Sequence, residues 1–343
     1  MAEAPASILV PASILVYVGL DAVGDGLMKL PFLRALRTAF PAARITWMAG
    51  KGHTVYAGTL APLVAGLCDE VQDQANVGSK VAELVGRRPL ADRRFDLIID
   101  TQRRLLTSLI VRRIRHGRFI SAAGNFWLSD ARPPAGWTRP AAMVGQLLAL
   151  VDLASGRPAD AAAPLPRDPE CEALADGLLP PGSTYVGFAP GAGGKHKCWP
   201  LERYLEVAAQ QRAAGRVPVF LLGPVEAAWA DTVRAAVPQA LLPLQGLAAT
   251  PPALTIALGR RLAAAVANDS GTGHMLAAAD TPLVSLFGPT PPEKFAPAAR
   301  RLIVLRAQDF GSEAMDAIPV AAVAEALDRL LGESNGAVPQ ALL

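Results

Sequence analysis

Cysteine, aromatic rings and charge are all scarce in this chain of 343 residues, and each scarcity removes a class of protein. The three cysteines, Cys68, Cys171 and Cys198, are spaced neither as a disulfide framework nor as a metal site, so the expected compartment is a reducing one, the cytoplasm. Charged residues make up 18% against 51% hydrophobic, which excludes extensive disorder and fits a chain long enough to fold as two domains. Few aromatics interleave with the basic residues, which argues against nucleic acid as a partner. A signal peptide is not expected either. The uncharged stretch from Ala4 to Leu20 has no basic leader and is interrupted by Pro11, so it reads as a buried first strand. Its hexamer PASILV occurs twice, at 5–10 and 11–16, and only the second copy leads into the next motif, so the first is expected to be a redundant extension.

What is present is a rhythm of apolar runs and helical segments. ILVYVGL, LMKLPFLRALRTAF, ARITWMAG and FDLIIDT alternate as strand and helix, which implies a parallel sheet covered on both faces. A second rhythm follows in STYVGFAP, WPLERYLEVAAQQRAAG, VPVFLLGP, EAAWADTVRAAV, LAAAVAN and PLVSLFG. Proline and glycine crowd the ends of one short helical stretch between them, the best candidate for an interdomain linker. The expected division is an N-terminal Rossmann-like domain at 1–165, a linker at 166–183, a second Rossmann-like domain at 184–310, and a closing helix with a frayed tail at 311–343. Charge is uneven, with 19 Lys+Arg against 13 Asp+Glu in residues 1–160 and 14 against 17 in the remainder. Much of the basic excess lies in QRRLLTSLIVRRIRHGR, expected as an arginine-rich helix that is either a solvated face or a patch for an anionic acceptor or membrane surface.

Three strand-to-helix junctions carry chemistry. In GLDAVGDGLMKLPFLRALRTAFP, Asp25 lies at the start of an amphipathic helix, where an N-cap worth about 1 kcal/mol is the ordinary alternative. The G-x-G-x-x-G spacing of a dinucleotide site is missing, which counts against a dehydrogenase. In GFAPGAGGKHKCWPLERYLEVA, Gly191, Gly193 and Gly194 let backbone approach a ligand, and two lysines precede a helix begun by Pro200. This is not a Walker loop, yet free N–H groups, a helix dipole and ammonium charge converge there as they do at phosphate sites, with a plain turn as the alternative. In NDSGTGHMLAAADTPLVSLFGPT, Asp269 and Ser270 can cap a helix, Gly271 and Gly273 keep the loop lean, and His274 falls in the first turn, fit either to satisfy the loop or to touch a ligand.

The order of VGDGLMKLPFLRALRTAFP, PGAGGKHKCWP, LLGPVE and the last of these stretches resembles family 9 of the glycosyltransferases, the ADP-heptose:lipopolysaccharide heptosyltransferases and their relatives. The resemblance runs from about Ile14 to Pro291. It implies an α/β GT-B fold, two Rossmann-like domains whose parallel sheets face a central cleft, with the acceptor on the N-terminal domain and the nucleotide sugar on the other. It also implies inverting transfer with no cofactor and no catalytic metal, and no D-x-D triplet occurs in the chain. Carried over residue by residue, it implies Asp25 as general base beside Gly24, Lys197 on the donor phosphates, and Glu226 on the ribose. Asp269 would contact the donor sugar; Ser270, Gly271 and His274, with the Gly191 and Gly193 loop, would hold the diphosphate. Arg103 and Arg104 are the candidates for acceptor contact. The chain departs from the family in having Gly19 where a basic residue is common, glycines in the lysine loop where relatives offer hydroxyls, and Ser270 in place of threonine.

The leading expectation is thus transfer of a heptose or similar sugar from ADP-heptose or another nucleotide sugar to a lipopolysaccharide core or related anionic glycolipid or polysaccharide. It would take place at the cytoplasmic face of the inner membrane, with peripheral contact to anionic lipid. Two other readings use the same fold: a nucleotide-sugar epimerase or hydrolase, which would turn over donor alone, and a non-catalytic binding protein, which would be indifferent to Asp25→Ala.

Overall fold

The computed structural model describes residues 11–159 and 165–332; the first PASILV copy and the C-terminal tail lie outside the described residues. The chain divides into two compact units, Met1–Pro166 and Arg167–Leu343, each built on its own five-stranded parallel sheet.

The first unit runs β1 (Ser13–Val18), α1 (Val23–Ala39), β2 (Arg44–Ala49), α2 (Ala61–Val64), β3 (Glu70–Gln72), β4 (Arg94–Asp100), α3 (Leu105–Val111), β5 (Arg115–Ser121) and α4 (Met143–Ser155), with strand order β3-β2-β1-β4-β5. Ile14 through Val18 are fully buried, as a central parallel strand with helices on both faces must be. Tyr17, Met48 and Ile98 pack on one face against Ile110 and Val111 of α3. Trp47 of β2 sits between Phe32 of α1 and Tyr56, with ring centroids 6.4 and 4.8 Å away.

The second unit runs α5 (Pro169–Leu178), β6 (Tyr185–Ala189), α6 (Leu201–Ala213), β7 (Val217–Phe220), α7 (Ala230–Ala236), α8 (Pro252–Gly259), β8 (Leu262–Asn268), α9 (Gly271–Ala278), β9 (Leu283–Phe287), α10 (Pro292–Phe295), β10 (Leu302–Arg306) and α11 (Val320–Gly332), with strand order β10-β9-β8-β6-β7. Its core joins Phe188, Tyr204, Val207 and Phe220 to Val323, Leu327 and Leu330 of α11. The closing helix is therefore part of this unit's core.

The short helical stretch expected within 166–183 is α5: Asp168 caps it by accepting from the N–H groups of Glu170 and Cys171 at 3.0 and 3.1 Å, and the helix packs on α8. Ion pairs from Arg260 to Glu172 and from Arg261 to Asp176 tie it to the second unit. One expectation needs correction: the arginine-rich stretch is not one helix. It supplies the short α3, a turn, and then β5, because RHGRFIS continues as an edge strand in register with β4. Arg118 thereby becomes structural, donating to the carbonyls of Ala154 and Leu153 at the end of α4 at 3.1 and 3.2 Å.

All three thiols are free, and burial pushes each upward, Cys68 to about 11, which leaves them as unreactive thiols. Among the described residues no helix is long and apolar enough to cross a membrane.

Asp100, the last residue of β4, is completely buried. Its carboxylate accepts from the Gln102 N–H at 2.9 Å, from the Ser121 hydroxyl at 3.0 Å and from the Ser108 hydroxyl, tying β4 to α3 and β5. Burial outweighs these bonds and raises its pKa from 3.8 to about 6. A folded-state value above the unfolded one means the group favours folding at low pH and loses that contribution as pH rises through 6. Urea unfolding of Asp100→Asn and wild type should therefore diverge between about pH 4 and about pH 7, the variant gaining on the order of 3 kcal/mol relative to wild type. A difference that stays constant over that range would contradict the account.

Candidate active site

In the second unit β6 is flanked by β7 on one side and β8 on the other. Loops leaving the C-terminal ends of β6 and β8 run to opposite sides of the sheet, so the seam between these strands is a topological switch point, where open α/β sheets form their ligand crevice. The lysine loop leaves β6 there and the Asp269 loop leaves β8.

One residue joins the two loops. Asn268, fully buried at the end of β8, donates from Nδ2 to the Pro190 carbonyl at 2.7 Å. Its Oδ1 accepts from the Trp199 N–H and from the Tyr204 hydroxyl, both at 3.1 Å. Both ends of the loop from Pro190 to Trp199 are thus pinned to β8 by a single amide. Trp199 is held in turn by donation from Nε1 to the Ile318 carbonyl at 2.9 Å. In the sequence, the signal for Asn268 is its position at the hydrophobic-to-polar boundary of LAAAVAN, which does not reveal its distant partners.

The side chains expected to hold a donor converge on this seam. Lys197 donates from Nζ to Asp269 Oδ2 at 2.8 Å. The two side chains are 31% and 11% exposed, so the pair adds at most about 1 kcal/mol to stability and matters mainly for where it holds the ammonium. Ser270 is the N-cap of α9, its hydroxyl accepting from the Gly273 N–H at 3.3 Å. A Cβ at Gly273 would lie 3.1 Å from the Asn268 carbonyl, which is why the helix can start this close to the strand. Gly271 opens the helix with nothing within 4 Å of where its Cβ would be, and Gly193 is equally open. His274 is buried in the first turn, its N–H donating to the Ser270 carbonyl at 3.2 Å. Glu226, from the loop after β7, reaches the same edge: a Cβ on Gly191 would lie 2.5 Å from its carboxyl carbon. The carboxylate of Glu226 has no hydrogen-bond partner among the described side chains.

The C-terminal edge of the first sheet carries the other candidates. Asp25 is not an N-cap; Ala22 holds that position, and Asp25 lies half-buried in the first turn of α1 beside Gly24. No side chain among the described residues pairs with it. The acid that anchors this turn is Asp21, which accepts from Trp47 Nε1 at 3.2 Å, from the Thr54 hydroxyl at 2.9 Å and from Lys29. Arg103 and Arg104 are exposed at the end of β4. Beside Gly19, the space for a side chain is filled by Gln102, whose Oε1 would lie 3.0 Å from an added Cβ. A cation reaches this edge from β2 instead: the Lys51 N–H donates to the Gly19 carbonyl at 2.8 Å and its ammonium donates to the Thr107 hydroxyl at 2.8 Å. Burial and then Arg104 lower the Lys51 pKa. Asp21, Lys51 and Gln102 were missed in the sequence because their partners lie far along the chain.

Among the described residues no group of three or more His, Cys, Asp or Glu side chains is placed to hold a metal ion.

Two parallel α/β units, each with its loop cluster at the C-terminal edge of the sheet, define a protein of the GT-B fold class. The chain belongs to glycosyltransferase family 9 (heptosyltransferase), whose family model matches residues 86–316, a span that includes the second-unit loops but not Gly24 and Asp25. Lipooligosaccharide heptosyltransferase 2 of Haemophilus influenzae is 29% identical over 126 residues, 35% of this chain and 36% of that protein. The aligned stretch thus spans about a third of that curated relative's length. In fold, the chain is similar to the family 9 glycosyltransferase of Veillonella parvula, with TM-score 0.68 at 21% identity over 94% of this chain and 98% of that one. It is also similar to the ADP-heptose lps heptosyltransferase II of E. coli, with TM-score 0.65 at 22% identity over 94% and 100%.

Replacing Asn268 by alanine should leave the Trp199 N–H and Pro190 carbonyl unpaired in a buried place and cost about 2–4 kcal/mol in urea unfolding. A loss under about 0.5 kcal/mol would mean that the amide is not the joint between the loops.

Proposed function

We propose that this chain is a metal-independent, inverting glycosyltransferase that moves a heptose or similar sugar from ADP-heptose, or another nucleoside-diphosphate sugar, to a lipopolysaccharide core or related anionic glycan. The observation that carries this reading is the Lys197–Asp269 pair held beside the Ser270-capped start of α9 at the β6/β8 switch point. That arrangement offers a diphosphate free N–H groups, a helix dipole and an ammonium in one place. As the bond from sugar to diphosphate breaks, negative charge grows on the leaving oxygen. Fixed donors already aimed at it stabilise that charge without reorganising, and losing one costs about 3 kcal/mol, or some hundredfold in rate.

Other residues divide the remaining work. Glu226, its carboxylate unpaired, accepts hydroxyls of the ribose; Asp269 orients the donor sugar while holding Lys197; His274, Gly271 and the Gly191 and Gly193 backbone line the diphosphate. Asp25, likewise unpaired, takes the proton from the acceptor hydroxyl as it attacks. Arg103, Arg104 and Lys51 supply positive charge for an acceptor bearing carboxylates or phosphates. A lipid-linked acceptor would place the protein at an anionic membrane surface, on the cytoplasmic side.

Titration calorimetry of ADP, UDP and GDP into wild type and Lys197→Ala, each with EDTA, tests the donor half of this reading. ADP should bind best, binding should survive EDTA, and the variant should bind at least about tenfold more weakly, about 1.4 kcal/mol. Equal binding by the variant, or no nucleotide binding at all, would remove the phosphate cradle.

A second variant tests the fit around Glu226. Gly191→Ala pushes a methyl into the Glu226 carboxyl, so it should weaken ADP binding as much as Glu226→Ala does while leaving the unfolding midpoint nearly unchanged. Full ADP affinity in Gly191→Ala would show that Glu226 does not need its observed position.

A further inference from the structure

At the opposite, N-terminal edge of the first sheet lies a cavity of about 480 Å³ lined by Arg88, Arg94, Arg112, Arg113, Ile114, Arg115 and His116. Two of the five guanidiniums are accounted for by the fold. Arg112 donates to Asp130 at 2.8 Å and lies over the Phe119 ring, and Arg113 donates to the carbonyls of Glu83 and Gly86 beside the C-terminal end of α3. Arg88, Arg94 and Arg115 have no acceptor among the described residues.

Arg94 and Arg115 are register partners on the parallel strands β4 and β5. In-register residues of adjacent strands sit about 5 Å apart and project to the same face, so two like charges are held side by side at a cost to the fold. Elsewhere in this unit arginines at strand ends are matched with acids. Arg93 grips Glu70 at 2.7 and 2.9 Å and holds its carboxyl down at about 2, and Arg44 at the start of β2 meets the same carboxylate at 3.5 Å. The Arg94–Arg115 pair is left without such a carboxylate and faces a cavity that carries a third unpartnered arginine. His116 Nδ1 lies 2.7 Å from the Ile114 carbonyl, so as donor there it leaves Nε2 for a further partner.

We infer that this cavity is a binding site for a phosphate group, held by Arg88, Arg94 and Arg115. Guanidinium forks match phosphate oxygens in geometry, and bringing an anion between two like-charged neighbours converts their repulsion into attraction. The site is separate from the strand-end loops of the proposed reaction and does not rest on that reading. The same phosphate chemistry is carried by free pyrophosphate and by the headgroup of an anionic phospholipid, and these two sources are told apart experimentally.

The test uses the full chain carrying Lys197→Ala, so that the proposed donor cradle does not contribute. Pyrophosphate binding is measured by calorimetry and by the shift in thermal midpoint, at low and high salt. Flotation is measured with phosphatidylcholine vesicles with and without phosphatidylglycerol. Two further changes are compared in that background: the pair R94Q/R115Q, and R87Q as a neighbouring arginine outside the cavity. The expected result is salt-sensitive pyrophosphate binding that R94Q/R115Q weakens at least tenfold and R87Q leaves intact. In the absence of ligand at low salt, R94Q/R115Q should melt above its parent, because the repulsion is gone; a parent that melts at or above the pair would count against the stored repulsion. If pyrophosphate fails to bind but phosphatidylglycerol vesicles are bound and released by R94Q/R115Q, the phosphate is that of a lipid headgroup. Equal behaviour of parent and R94Q/R115Q in both arms, or an equal loss in R87Q, would overturn the site.

Discussion

The candidate donor site depends on one buried amide. Asn268 occupies all of its hydrogen-bonding capacity save one donor position on backbone and side-chain groups from two segments, the residue after β6 and the start of α6. An apolar residue there would release both ends of the glycine loop from Pro190 to Trp199 from β8, leaving Trp199 held through its indole to the Ile318 carbonyl. Glycines at 191, 193 and 194 give that loop no side-chain packing of its own. The position of Lys197 is therefore set by a residue that no ligand would touch, and so is the position of Asp269, the very next residue.

The two units repeat this device in different chemistry. In each, the strand lying across the switch point from the first ends in a fully buried polar residue: Asp100 on β4 and Asn268 on β8. Asp100 collects hydroxyls and an N–H from its own unit, at an electrostatic cost seen in its raised pKa. Asn268 does the same work uncharged. Asp21 adds a third anchor beside β1, where Lys29 compensates its charge. Because these anchors are satisfied internally, the carboxylates of Asp25 and Glu226 remain without partners on the same sheet edges.

Much of this was legible in the amino-acid sequence. Short unbroken apolar runs such as ILVYV and LAAAVA, alternating with helical segments, read as buried parallel strands, and the polar residues that follow them mark the strand-end loops, so Asp25, Lys197, Asp269 and Ser270 could be placed at strand-to-helix junctions. Two kinds of feature could not. Local composition misled at QRRLLTSLIVRRIRHGR, where arginines at near-helical spacing belong to a helix end, a turn and an edge strand whose pairing with β4 is a tertiary fact. Asn268, Asp21 and Lys51 escaped notice for the same reason, since their roles consist of contacts with distant segments.

The central claim is that an unpaired carboxylate on the first unit activates the acceptor while the second unit holds the donor. The most direct measurement is steady-state sugar transfer by Asp25→Asn, with donor affinity measured on the same preparation. The account predicts a fall in kcat of at least about a hundredfold, in keeping with loss of a general base, while ADP binds as in wild type. Transfer by Asp25→Asn at the wild-type rate would contradict it, because the carboxylate would then be only an acidic residue in the first turn of a helix.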